Sequence, residues 1–198
     1  METKVWNRIG LFGGTFDPVH FGHLLVAQCV QEELCLDALF FIPAARSPFK
    51  PEREPAPAHL RLRWLRLALA GRSSWFIDEQ ELQRTPPSYT IDTVRNYIAA
   101  NRAVEIFYII GADHVSQLPR WREAHELRQL VEFVVVTRPG ENAGGELPLG
   151  FRIRFLKGIP YEVSSSELRR RIANDGDVSL LTPSAVAQSL RNEHTYRN

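Results

Sequence analysis

Apolar residues recur along this chain in two rhythms, and the alternation between them predicts the architecture. Short unbroken runs read as strands buried on both faces. They are Ile9–Phe12, which stops at Gly13 and Gly14, then Ala38–Pro43, Ile106–Ile110 within Glu105–Ile110, and Phe133–Thr137. Trp75–Asp78 is a shorter strand, and Arg152–Leu156 alternates weakly, as an outer strand would. Between these runs the apolar positions return at three- and four-residue spacing, the signature of helices with one buried side. The first helix is predicted from Phe21 to Leu34, with Leu24, Leu25, Ala27, Cys29, Val30 and Leu34 inward. His59–Ala70 follows, with Leu60, Trp64, Leu67 and Ala68 as its apolar side, and Trp64 and Trp75 read as core. A third helix runs to about Ala100, its entry marked by Pro86 and Pro87 and capped by Ser88 or Thr90. Another opens at Val163–Ile172, where Ser164 and Glu167 match a capping box. The last spans about Pro183–Asn192 and buries Leu181, Val186 and Leu190. Strand, helix, strand in succession argues for an α/β fold of three layers, with a mainly parallel central sheet and helices on both faces.

A chain of 198 residues suits one domain over 1–198, with a C-terminal helical portion at about 164–198 packed on it. The net charge of +1 gives no case for a nucleic acid as partner, so any positive charge at a ligand site must be local. No apolar run approaches a membrane span, and Met1-Glu2-Thr3-Lys4 lacks a signal-peptide core. Cys29 and Cys35 face different ways on the first helix, which argues against a disulfide and fits a reducing cytoplasm. The sequence specifies no oligomeric state.

The candidate chemistry lies at the end of the first strand, in Gly13-Gly14-Thr15-Phe16-Asp17-Pro18-Val19-His20-Phe21-Gly22-His23. Two glycines let backbone approach a ligand, and the helix that follows aims unpaired N–H groups at the same space. Such a place binds phosphate. His20 and His23, three residues apart, fall on one side of the helix start. Three readings are open for them: packing or capping the helix start, a metal pair, or imidazole donors to a phosphoryl group. A zinc pair needs further ligands, and no Cys/His cluster accompanies it. Gly22 leaves room beside the backbone, which favours the phosphoryl reading.

This eleven-residue stretch resembles the GGxFDPxHxGH signature of the H-x-G-H nucleotidyltransferases. More narrowly, it is similar to bacterial nicotinate mononucleotide adenylyltransferases, which have a Rossmann-like fold. Further motifs carry the same resemblance in order along the chain: Ser88-Tyr89-Thr90, then Gly111-Ala112-Asp113 with Leu118 and Trp121, then Val163-Ser164-Ser165-Ser166-Glu167-Leu168-Arg169. Ser166 and Leu168 stand where the family has threonine and isoleucine, and Phe49 stands where a histidine precedes the family's lysine. The resemblance implies His20 and His23 as catalytic residues. It implies an ATP site of Gly13, Gly14, Thr15, Phe16, His20, His23, Gly111, Asp113, Ser165, Ser166 and Arg169. For nicotinate mononucleotide it implies Thr15, Lys50, Ser88, Thr90, Trp121 and Arg122, with Arg138 added by its place at the end of a parallel strand. Trp121 would stack on the pyridine ring, or else serve as a buried anchor. Arg122 replaces an aromatic found in some members, which keeps backbone donation and loses stacking.

The implied reaction joins ATP and nicotinate mononucleotide into nicotinate adenine dinucleotide and releases pyrophosphate. Its nucleophile is a phosphate already ionised at neutral pH, so no general base is required. Mg2+ is expected with ATP, bound through phosphate oxygens and water, with no protein ligand assigned. The rival readings are a phosphopantetheine adenylyltransferase, against which Ser88-Tyr89-Thr90 speaks, a non-catalytic nucleotide-binding module, and a zinc hydrolase on His20 and His23.

Overall fold

The apolar runs become one six-stranded sheet, and their lack of alternation has its cause in what covers them. In the computed structural model, residues 6–45, 54–101, 103–137 and 147–197 are described. The strands are β1 Arg8–Gly14, β2 Ala38–Pro43, β3 Trp75–Ile77, β4 Glu105–Ile110, β5 Glu132–Thr137 and β6 Ile153–Lys157. Their order is β3-β2-β1-β4-β5-β6, and every neighbouring pair is parallel. The expectation of a mainly parallel sheet is thus met by a wholly parallel one.

Successive side chains of a strand point to opposite faces, and here they divide into two cores. Phe12, Leu39, Phe41, Phe107, Ile109 and Val134 face α1 (Phe21–Leu34), α2 (Ala58–Leu69), α5 (Ser165–Ala173) and α6 (Ser184–Asn192). Leu11, Phe40, Ile42, Tyr108, Ile110, Phe133 and Val135 face α3 (Thr90–Ala100) and α4 (Ala124–Leu130). Trp64 and Trp75 are buried in the first core, as expected. Leu181, Val186 and Leu190 of the last helix and its approach pack there too.

Three local features differ from the sequence reading. Beyond β4 the chain forms a 3-10 helix, Ala112–Arg120, and then α4, neither of which the apolar spacing announces. Neither Ser88 nor Thr90 caps α3: Tyr89 holds that position, the Ser88 hydroxyl turns to the Glu81 carbonyl oxygen at 3.5 Å, and Thr90 Oγ1 meets the Tyr108 hydroxyl at 3.2 Å. The capping box of α5 is half made. Ser164 Oγ accepts from the Glu167 N–H at 3.1 Å, whereas the Glu167 carboxylate is drawn outward to Arg170 and Arg171. Among the described residues no helix is long and apolar enough to cross a membrane.

The sheet order reverses between β1 and β4, whose chains leave toward opposite layers. In open parallel sheets the crevice beyond the strand ends at such a point is where ligands bind. The sequence motifs converge there, because they follow β1, β3, β4 and β6 and all strands run the same way. Phe41 lies under this edge, fully buried, with ring centroids 5.6 Å from Phe12, 5.7 Å from Phe16 and 5.5 Å from Trp75. Phe41→Ala is expected to cost about 3–5 kcal/mol, read as a lowered midpoint in urea unfolding, whereas an unchanged midpoint would mean that this ring carries no packing.

Candidate active site

The loop from Gly14 to His20 is held from outside by its carbonyl oxygens. Arg61 Nη1 donates to the Thr15 carbonyl at 2.8 Å, Arg169 Nη1 to that of Asp17 at 2.6 Å, Ser165 Oγ to that of Pro18 at 2.9 Å, and Thr182 Oγ1 to that of Val19 at 2.8 Å. The donors come from α2, α5 and the approach to α6, so three distant parts of the chain fix one loop. Arg61 also donates to the carbonyls of Ala44 and Ala56, both at 2.9 Å. That ties the loop after β1 to the segment between β2 and α2. Arg61 as a whole is only 1% exposed, and burial pulls its pKa down while Asp17 opposes the shift. Phe16 adopts a left-handed backbone, φ 49°, a region that bulky residues rarely enter. Its ring, buried among Phe12, His23 and Phe41, anchors that turn in the core.

His20 and His23 stand where this loop becomes α1. Their rings stack, with centroids 3.7 Å apart and planes 28° from parallel. The His20 backbone N–H donates to His23 Nδ1 at 3.2 Å. A ring whose Nδ1 accepts must carry its proton on Nε2 when neutral. Burial and the neighbouring His20 both push the His23 pKa well below the ordinary imidazole range. His23 is thereby held as a neutral Nε2–H donor. Both rings line a cavity of about 160 Å³ walled by Phe12, Val26, Val136, Gly158, Ile159 and Tyr161 among others. A cleft with apolar walls and a few convergent polar groups suits a flat heterocycle attached to an anion. The helix-capping and phosphoryl readings are therefore compatible: one ring nitrogen of His23 serves the helix start, and the other remains for a ligand. Among the described residues no three His, Cys, Asp or Glu side chains gather as a metal site needs.

On the other side of the crevice the second group of motifs meets. The Tyr108 hydroxyl joins Thr90, and the Tyr108 ring packs edge-on against Trp121 at 6.0 Å. Trp121, half-buried, also meets Phe133 at 5.9 Å and His114 at 6.2 Å. The Arg122 guanidinium lies 4.6 Å from the centre of the Tyr89 ring. Burial and the charge of Glu81 raise the Tyr108 pKa, so its hydroxyl stays protonated. Glu81 is itself buried, accepts from Thr93 Oγ1 at 2.8 Å, and has a carboxyl pKa raised by that burial.

Several expected residues sit differently from what their motif suggests. A Cβ on Gly13 would lie 2.5 Å from the Tyr108 hydroxyl, and one on Gly22 would lie 2.9 Å from Val163 and 3.0 Å from the His20 ring. The room that these glycines leave is filled by the chain's own side chains. The Phe16 ring belongs to the core, so only its backbone can face a ligand. Ser165 Oγ–H is committed to Pro18, leaving its backbone N–H at the start of α5. Ser166 Oγ accepts from Arg169 Nη2 at 2.8 Å. Ser88 is buried, and the Asp113 carboxylate lies against Gly111 in solvent. Lys50 and Arg138 lie outside the described residues, as does most of the proline-rich segment around Lys50. Sequence reasoning passed over Arg61, Tyr108, Glu81 and Tyr196. Arg61 looks like one of several arginines on the polar side of α2, and Tyr108 like any residue of a buried strand. Asp17 was read within the motif without a role of its own.

A family model for cytidylyltransferase-like proteins matches residues 11–171, so the chain belongs to the cytidylyltransferase-like family. Similar curated proteins are each called a probable nicotinate-nucleotide adenylyltransferase. That of Geobacillus kaustophilus is 39% identical over 96% of this chain and 86% of its own length, and that of Bacillus pumilus is 36% identical over 97% and 100%. Within the wider family, then, the chain belongs to the nicotinate-nucleotide adenylyltransferases. The fold matches a solved Plasmodium falciparum nicotinic acid mononucleotide adenylyltransferase, complexed with NaAD, with TM-score 0.76, 16% identity and coverage of 96% of this chain and 97% of that one.

The depressed His23 pKa has a consequence with a definite sign. The unfolded chain takes up the proton first as pH falls through about 6.5, so the stability attached to neutral His23 is present above that pH and is lost toward the folded-state value. Nitrogen-15 imidazole spectra of the folded protein are expected to show His23 neutral, with its proton on Nε2, at pH 6. An ordinary titration there would remove the assignment.

Proposed function

We infer that this chain transfers the adenylyl group of ATP to nicotinate mononucleotide, forming nicotinate adenine dinucleotide and pyrophosphate. A phosphate oxygen of the mononucleotide attacks the α-phosphorus, and the bond to the bridging oxygen of pyrophosphate breaks. The nucleophile is an anion at neutral pH and needs no base. The observation that carries the reading is the stacked histidine pair at the mouth of an apolar cleft, with His23 held neutral and its Nε2 proton uncommitted to the helix start.

Charge grows on the phosphoryl oxygens as the reaction proceeds, and donors fixed beforehand stabilise it without reorganising. His23 is the first such donor and His20 the second. The cleft beside them would receive the adenine. Backbone N–H groups of Ser165 and Ser166, with Arg169, would hold the departing phosphates, favoured by the positive end of α5. Gly13, Gly14 and Thr15 would contribute through their backbone, the space beside the two glycines being taken by Tyr108 and Phe16. Gly111 and Asp113, beyond β4, would meet the ribose. Across the crevice, Thr90 and Trp121 would receive the nicotinate, the indole facing an electron-poor ring. Arg122 would contribute its backbone, since its guanidinium is stacked on Tyr89. Lys50 and Arg138 are proposed to offset charge where the two anions meet.

Magnesium is proposed to enter with the triphosphate. The described carboxylates form no cage for it, and Asp17 is engaged by Ala56, Tyr196 and Arg169. The fit is to an ion carried on phosphate oxygens and water, and no step is assigned to it. The free cysteines Cys29 and Cys35 suit a reducing cytoplasm as the place of action.

Pyrophosphate release from ATP and magnesium tests the reading, with nicotinate mononucleotide, nicotinamide mononucleotide and phosphopantetheine offered separately. Release with the nicotinate substrate is expected to dominate, and release with phosphopantetheine instead would overturn the acceptor. His23→Ala is expected to lose about a hundredfold or more in kcat while the chain still folds, its melting temperature lowered by the loss of the bond from the His20 N–H. Turnover near that of the parent would remove His23 from the chemistry.

A further inference from the structure

The C-terminal tail reaches back to the phosphate-binding loop. Beyond α6 (Ser184–Asn192), the Tyr196 hydroxyl donates to Asp17 Oδ1 in the middle of the loop between β1 and α1. The same oxygen accepts from the Ala56 N–H at 3.1 Å. Asp17 Oδ2 lies 3.7 Å from Arg169 Nη1, which also donates to the Asp17 carbonyl. Asp17 is 4% exposed, so its carboxylate depends on such partners rather than on water.

The tail is itself fixed. Glu193 accepts from Trp64 Nε1 at 3.1 Å and Ser189 Oγ at 2.9 Å, and pairs with Arg63 at 2.9 Å. The Tyr196 ring packs against Trp64 at 5.9 Å. A hydroxyl on a tail this well anchored has a defined direction, and it points at the residue that shares Arg169.

We propose that Tyr196 is a positioning residue for the triphosphate: it orients the Asp17 carboxylate, which in turn sets the Arg169 guanidinium between the loop and the start of α5. The proposal rests on Arg169 serving the departing phosphates. Without the hydroxyl, Asp17 Oδ1 loses a donor in a buried place. The carboxylate then competes for Arg169 Nη1, drawing the guanidinium from its bond to the Asp17 carbonyl. ATP binding should suffer, while the nicotinate end of the crevice, built from α3 and the segment after β4, should not. A tail that serves only to hold the fold together would instead affect both substrates alike.

The test is Tyr196→Phe, which removes one oxygen and keeps the ring on Trp64. Its control is Ser189→Ala, which loosens the tail without touching Asp17. KM for ATP is expected to rise about threefold to tenfold in Y196F, the scale of one ordinary hydrogen bond, because the lost bond acts on the phosphates only through Asp17 and Arg169. KM for nicotinate mononucleotide should stay within error, and S189A should change neither. Calorimetric binding of inorganic tripolyphosphate provides a readout independent of turnover, and Y196F should weaken it by a similar factor. Equal rises for both substrates, or unchanged tripolyphosphate binding in Y196F, would overturn the positioning role. If the parent binds tripolyphosphate but releases no pyrophosphate with any acceptor, the adenylyl-transfer reading fails while the role of Tyr196 is still decided by the binding data.

Discussion

Four backbone carbonyls set the geometry on which this molecule depends. Those of Thr15, Asp17, Pro18 and Val19 each accept a hydrogen bond from a side chain far away in sequence, namely Arg61, Arg169, Ser165 and Thr182. A loop between a strand and a helix has no ladder of its own to satisfy these groups, and leaving them buried without partners costs more than the bonds return. The donors therefore order the loop and at the same time join it to α2, α5 and the last helix. Stability and site construction are one problem here. A residue such as Arg61 belongs to both, since its buried charge is tolerable only because three carbonyls surround it.

This arrangement gives Ser165 and Arg169 a double character. From sequence they read as phosphate ligands at a helix start. In the structure their side chains hold the loop opposite, through the carbonyls of Pro18 and Asp17. The histidine pair shows the same economy. His23 closes the helix start with one nitrogen, and that bond fixes the other, Nε2, as the one that carries the proton when the ring is neutral.

Most of the fold was legible because strands covered on both faces leave long apolar runs, as in Ala38–Pro43 and Glu105–Ile110. The helices announced themselves by spacing. The 3-10 segment after β4 did not, since its residues are mostly polar and Pro119 interrupts it. The site was legible where a motif is contiguous, as in Gly13–His23. It was illegible where side chains meet across the chain. Nothing in the spacing links Tyr196 to Asp17, 179 positions apart, or marks Tyr108 as the link between Thr90 and Trp121. The glycines illustrate a subtler limit. Sequence says that space is left beside them, but only packing reveals that Tyr108, His20 and Val163 take it up.

The division of each strand between two cores restricts where such a chain can change length. Adding or removing one residue within β1 or β4 would exchange the neighbours of every later position in that strand, sending Tyr108 toward α1 and Ile109 toward α3. The sheet has no way to absorb that shift short of a bulge. Length variation is thus excluded from the strands and confined to connections that carry no loop-holding donor, such as the turn between α2 and β3 around Gly71. Proteins built on this plan can be lengthened there without disturbing the loop after β1 or the residues around Trp121, and an inserted peptide or label would be accepted at that turn before any other described part of the α2–β3 unit.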